Sequence, residues 1–249
     1  DHLRHAGMCD IKYFMGVDFA LSNDGTAAVV SHYDRNCKLT ADDFPEEMFS
    51  YNDVLAKYFD ENEFLVSPRI IIDYAEVRYA GQPPWEDYSV MMIDEVLGWV
   101  QDLFLRWPIQ CGMYDQWSGE ILKQMISGRG INRLEMVTHT AALNDSMFKL
   151  FSMCMHQGQL LMPWWKDLEK ELLSLQCYVR SQGIIKVEAP PGPKNHDDLF
   201  SALIRSVYLC YSYIKKNKIL ASSLPLLFKE GKLVKDLGNF KGVYNYMQY

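Results

Sequence analysis

The sequence is short of positive charge, of closely spaced cysteines and of long apolar runs, and each shortage removes a class of protein. Its formal net charge is −7, so it is not coated in basic residues for indiscriminate attraction to nucleic acid, although a local DNA contact stays open. Six cysteines (Cys9, Cys37, Cys111, Cys154, Cys177, Cys210) include no CxxC and no close Cys/His pair. That spacing argues against a zinc site or a redox motif and fits reduced thiols in a cytoplasm. The longest apolar stretches, residues 70–72 and 224–228, fall far below the roughly 20 residues that cross a bilayer. No membrane association is expected. The first seven residues lack the apolar core of a secretory signal, and residues 1–10 read as a linker or cloning remnant. Internal repeats and low-complexity tracts are also missing.

What is present describes a folded α/β domain. Hydrophobic residues make up 49% and charged residues 23% of the 249, a balance that supports a packed core. Residues 13–20 and 26–33 read as two strands joined by the turn Leu21-Ser-Asn-Asp-Gly25. A short helix is expected over 51–59 and a buried strand over 69–79, around Ile70-Ile-Ile72. Apolar residues from Ile93 to Phe104 recur at three and four, predicting an amphipathic helix that Pro108 ends. Residues 109–115 predict a fourth strand, leading into a helix over 120–126 that Gly128 and Gly130 close.

Beyond that, residues 135–140 predict a strand, and 145–157 a helix capped by Asn144 or Asp145. Leu168, Leu172, Leu175 and Val179 mark a further helix. Residues 184–188 predict a strand, 189–194 a rigid Pro/Gly loop, and 196–214 a last helix. Strands alternating with helices imply a mixed sheet with helices on its faces. The domain is placed at 11–214. Residues 215–249 form a lysine-rich extension, seven lysines against Glu230 and Asp236, either a solvated terminus or a phosphate-contacting tail.

Three acidic positions fall at element ends: Asp18 in the first strand, Asp115 closing the fourth, and Asp197-Asp198 opening the last helix. Each has an ordinary explanation. Period-two alternation can turn Asp18 to solvent, Asp115 can cap the next helix or sit in a turn, and Asp at a helix start accepts backbone N–H bonds. Yet Asp18 is flanked by Phe14, Val17 and Phe19, and a carboxylate in an apolar strand needs something to offset its desolvation. Carboxylates gathered around two divalent ions are what two-metal phosphodiester cleavage requires.

The three sites lie in the order, and on the element types, of the acids of RNase H-like nucleases. Gly16-Val-Asp18-Phe-Ala20 with Asp24-Gly-Thr26, Tyr114-Asp115-Gln-Trp-Ser-Gly119, and His196-Asp197-Asp198-Leu-Phe-Ser-Ala-Leu203 resemble the three acidic motifs of viral large terminase nuclease domains. The resemblance spans about residues 13–214 and also takes in Leu160-Leu-Met-Pro163. It implies an RNase H-like central mixed sheet and a magnesium- or manganese-dependent endonuclease that cuts double-stranded DNA, the concatemeric viral genome, during packaging. Its two ions would be held by Asp18, Asp115 and Asp198, with Asp197 supporting.

Implied partners are the ATPase half of the motor, the portal and the small terminase subunit, in the host cytoplasm. No GxxxxGK[ST] P-loop occurs in this chain, so ATP-driven translocation is expected elsewhere. Asp73 is the reserve acid. His196, Lys149, Lys194 and Trp164-Trp165 are secondary candidates for phosphate, water or base contacts. The competing readings are a junction resolvase or integrase-like transposase of the same fold, and a non-catalytic nucleic-acid-binding or assembly module.

Overall fold

A computed structural model describes residues 11–20, 25–43, 60–61, 63, 65–116, 119–180, 183–192, 196–217 and 219. The expected helix at 51–59, the 21–24 turn residues, Lys194 and most of the lysine-rich extension lie outside the described residues. Among the described residues six strands form the main sheet: β1 (Tyr13–Asp18), β2 (Thr26–Leu39), β3 (Leu65–Arg78), β4 (Ile109–Asp115), β5 (Leu134–Val137) and β6 (Leu160–Leu161), in the order β5-β4-β1-β2-β3-β6. Only β2 runs against the others. This is the mixed sheet that the alternation of strands and helices in the sequence predicts.

Five helices flank it among the described residues: α1 (Ile93–Arg106), α2 (Gly119–Gly128), α3 (Ala141–His156), α4 (Lys166–Ser174) and α5 (Asp198–Lys216). Buried residues of α1 and α2, among them Leu97, Val100, Leu103, Leu122 and Ile126, cover one face. Those of α3, α4 and α5, including Phe148, Phe151, Leu168, Leu203 and Val207, cover the other. Each fully buried side chain of this kind contributes about 1.5–3 kcal/mol. Among the described residues no helix is long and apolar enough to cross a membrane.

Strand alternation decides which way the acids face. In β1, Tyr13, Met15 and Val17 pack toward α1 and α2, and Phe14 packs toward α5, so Asp18 falls in register with Phe14 and Gly16 on the α5 side. In β4, Met113 joins the α5-side core while Tyr114 joins the opposite one, which places Asp115 on the α5 side as well. Because β1 and β4 are parallel neighbours, both acids emerge from carboxyl ends of adjacent strands.

Two local expectations are corrected. Thr140, not Asn144 or Asp145, caps α3: its side chain accepts the Leu143 N–H at 3.1 Å, and Asp145 lies inside the helix. The helix expected through Val179 stops at Ser174, and Gln176–Val179 forms β7, paired antiparallel with β8 (Ile185–Glu188) in a separate hairpin. Cys177, Tyr178 and Val179 favour a strand once β8 offers a partner, and that gain outweighs the helical spacing. The short β6, not expected as a strand, adds to the β3 edge.

α5 packs directly on β1, and Gly16 makes that approach possible. A Cβ at Gly16 would stand 1.9 Å from the Ala202 carbonyl oxygen and 2.8 Å from the Ser206 backbone nitrogen. Buried hydroxyls then join the layers: Ser206 Oγ donates to the Phe14 carbonyl at 3.0 Å and lies 2.8 Å from Ser31 Oγ on β2. Gly16→Ala is therefore expected to cost about 3 kcal/mol, at the upper end of overpacking. That corresponds to a melting point lower by on the order of 10 °C; an unchanged melting curve would show that α5 does not sit this close.

Candidate active site

An open cleft of about 940 Å³ lies at the carboxyl ends of β1 and β4, bounded by α3, α5 and the β7–β8 hairpin. Asp18, Asp115, Asp197 and Asp198 all line it, so three separate chain segments deliver their acids to one place. Ligands of open α/β sheets characteristically bind at this end of the strands. The reserve acid Asp73 is not part of the lining. It sits in β3, its carboxylate paired with His32 Nδ1 across the β2–β3 ladder.

Asp18 is held by Arg205, a buried α5 residue whose Nη1 donates to the Val17 carbonyl at 2.9 Å and lies 3.0 Å from Asp18 Oδ1. Asp198, 8% exposed, accepts the Gly25 N–H at 3.1 Å and faces His196 Nδ1 at 3.7 Å. Its carboxyl is pushed up to about 8, first by burial and then by the charges of Asp18 and Glu171. Asp197 occupies the N-cap position of α5, but its side chain does not cap the helix and instead accepts the Ala189 N–H at 3.2 Å. Burial, then the charge of Asp18, raises it too.

The capping role is met from another helix. Glu171 of α4 is buried and accepts the Phe200 N–H at 3.0 Å, and burial lifts its carboxyl to about 7. An acid donated by α4 thus satisfies the α5 N-terminus, which leaves both aspartates of the His196-Asp197-Asp198 run turned to the cleft. The structure disfavours the reading of that pair as plain helix caps.

Arg205, His139 and Glu171 are site residues that the sequence reading did not single out. Arg205 interrupts the apolar run Leu203-Ile204-Arg205-Ser206-Val207 two turns after Asp198, and that spacing was a usable signal. Glu171 likewise stands among Leu168, Leu172 and Leu175 on the apolar stripe of α4. His139, two residues past β5, carries no such mark. Its Nδ1 lies 3.0 Å from Asn144 Oδ1, and burial, with the Arg205 guanidinium, depresses its proton affinity.

The remaining secondary candidates are engaged elsewhere. Lys149 pairs with Asp145 at 2.7 Å. Trp164 is 66% exposed and donates to Glu169 at 2.8 Å, and Trp165 packs against the core.

A set of carboxylate oxygens suits a hard divalent cation such as magnesium or manganese. Among the described residues no three His, Cys, Asp or Glu side chains stand close enough to cage an ion as they are. The acids line a shared wall, and Arg205 balances Asp18. Two features fit a cation nonetheless. Asp115 Oδ1 is buried without a hydrogen-bond partner, and Asp198 is penalised by a neighbouring negative charge that a divalent ion would offset.

The architecture defines the class of protein: an RNase H-like α/β domain with a carboxylate-lined cleft. More narrowly, the fold is that of the nuclease domains of viral large terminases. It is similar to the large terminase nuclease of thermophilic phage G20c with bound magnesium, at 14% identity over 83% of this chain and 85% of that one, TM-score 0.55. The Thermus phage P74-26 large terminase nuclease domain is similar over 83% of this chain and 82% of its own, at 17% identity and TM-score 0.51. The HK97 bacteriophage large terminase matches over 82% of this chain and 40% of its own, at 10% identity and TM-score 0.55. No protein-family model matches the sequence, and no curated protein matches it significantly.

The raised acids fix a sign for the pH dependence. Asp198 and Glu171 ordinarily titrate near 3.8 and 4.5 and are lifted to about 8 and about 7 in the fold. The folded state therefore binds their protons more tightly than the unfolded chain, and with no metal present stability falls as pH rises through that window. Asp198→Asn keeps an oxygen for the Gly25 N–H and removes the charge. In chelator near neutral pH it should melt several degrees above the parent, with the gap closing as pH falls toward 4; a gap that is absent or independent of pH would contradict this electrostatic picture.

Proposed function

We propose that the chain is a divalent-metal-dependent endonuclease that cuts double-stranded DNA, and that its biological substrate is the concatemeric viral genome during packaging. The observation that carries this reading is the meeting of Asp18, Asp115 and Asp197-Asp198 in one cleft of a terminase-nuclease fold. Asp18, Asp115 and Asp198 would hold two magnesium or manganese ions, with Asp197 in support. Ions bound there supply Lewis acidity, offsetting the negative charge that gathers on the phosphate and leaving oxygens during phosphodiester hydrolysis.

The chain's own residues prepare that chemistry. Arg205 fixes the end of β1 so that Asp18 faces the cleft, and the Gly25 amide orients Asp198. Glu171 holds the first turn of α5 in place. Arg180 of the hairpin faces the cleft, as does Lys186, which is paired with Glu188; Arg180 would supply a cation for the phosphate backbone, whose contacts position the duplex without reading its sequence. Little sequence preference follows. The reading implies DNA, the ATPase half of the motor, the portal and the small terminase subunit as partners, in the host cytoplasm.

One observation favours a second reading. The Arg205 guanidinium already balances Asp18, as it would in a non-catalytic assembly module that kept the sheet and lost metal binding.

Supercoiled plasmid separates the two. The nuclease reading predicts nicking and linearisation with manganese or magnesium, none in EDTA, and a rate lower by about a hundredfold or more in Asp18→Asn, Asp115→Asn and Asp198→Asn, the scale expected when a transition-state stabiliser is removed. Absence of cleavage with either metal, together with absence of metal binding, would select the assembly module.

A further inference from the structure

His139 and Asp115 present an unmatched pair of acceptors to the same cleft. β5 runs parallel to β4 with Val137 opposite Asp115, so His139, two residues further on, leaves the sheet beside that acid. Its Nδ1 lies 3.0 Å from Asn144 Oδ1. An amide oxygen only accepts, so Nδ1 carries the hydrogen and Nε2 presents a bare lone pair. Nε2 is buried and has no hydrogen-bond partner, and the same holds for Asp115 Oδ1. Both residues line the cleft.

Two buried acceptors without hydrogen-bond partners are costly, because each has given up water without a replacement. A cation shared by a nitrogen and an oxygen donor satisfies both. The Asn144 contact is the kind of support that ligating histidines commonly have: a hydrogen bond on the other ring nitrogen that fixes tautomer and ring direction.

We propose that His139 Nε2 is a nitrogen ligand of the metal site beside Asp115, and that it biases the site toward manganese, cobalt and similar borderline ions over magnesium. This rests on the metal-dependent reading above. The chemical basis is that imidazole binds transition ions better than magnesium, which prefers oxygen donors and retains its water. Asn144 is the positioning residue that aims the ring.

Pulsed electron paramagnetic resonance of manganese bound to the full chain tests the proposal without relying on turnover. The parent should show nitrogen-14 modulation from a directly bound imidazole. His139→Gln should lose it, and its manganese affinity should fall about tenfold or more while magnesium affinity changes little; Asn144→Ala should weaken manganese binding by about tenfold, the scale of outer-sphere support. His196→Gln, which removes the imidazole near Asp198, should leave the modulation intact. Melting curves in chelator confirm that each variant is folded; if His139→Gln is not, His196→Gln makes the assignment, because the modulation survives that change only if His196 is not the nitrogen donor.

Manganese bound to the parent without nitrogen modulation would overturn the proposal and leave the nuclease reading standing. So would modulation that disappears in His196→Gln and survives in His139→Gln. A parent that binds no manganese would overturn both.

Discussion

The close approach of α5 to β1 is the constraint on which the rest of the structure depends. Gly16 has no side chain, and the Ala202 carbonyl occupies the space a Cβ would need. Only because the helix lies that near the strand can Ser206 reach the Phe14 carbonyl and Arg205 the Val17 carbonyl. Those contacts fix the rotation and height of α5, and so place Asp198 beside Asp18. The site is an outcome of backbone packing first and of side-chain chemistry second.

That placement sets charge against charge. Asp18, Asp197, Asp198 and Glu171 crowd the start of α5, and burial together with mutual repulsion raises the proton affinity of Asp197, Asp198 and Glu171. A single buried guanidinium, Arg205, offsets the remaining member. Carboxylates held this way store a preference for positive charge, because a cation relieves repulsion that the fold otherwise sustains. Glu171 adds a division of labour: by capping α5 from α4 it frees the helix-opening aspartates from the role their position would ordinarily give them.

Much of this was legible in the sequence where the signal is local. The alternation around Met15 and Val17 marks β1, the 109–115 run marks β4, and the apolar spacing after Asp198 marks α5; each acid could be assigned to its element end from neighbours alone. The acids' common cleft was inferred from a family resemblance, because strand order and the facing of one element against another are tertiary facts. For the same reason Arg205, His139 and Glu171 went unmarked. Their importance lies in what they touch: a strand carbonyl, an amide oxygen and a foreign helix terminus. Residues 176–179 show the limit of periodicity, since leucines spaced for a helix continue into a segment whose partner strand, beginning six residues after Val179, pulls it into a hairpin.

The central claim is that acids from β1, β4 and α5 act as one divalent-metal site. Anomalous diffraction from crystals soaked in manganese tests it most directly. The account predicts two peaks about 3.5–4 Å apart, the spacing of two-metal hydrolases, within reach of Asp18, Asp115 and Asp198. An empty cleft under saturating manganese, with Asp18 still paired to Arg205, would contradict it.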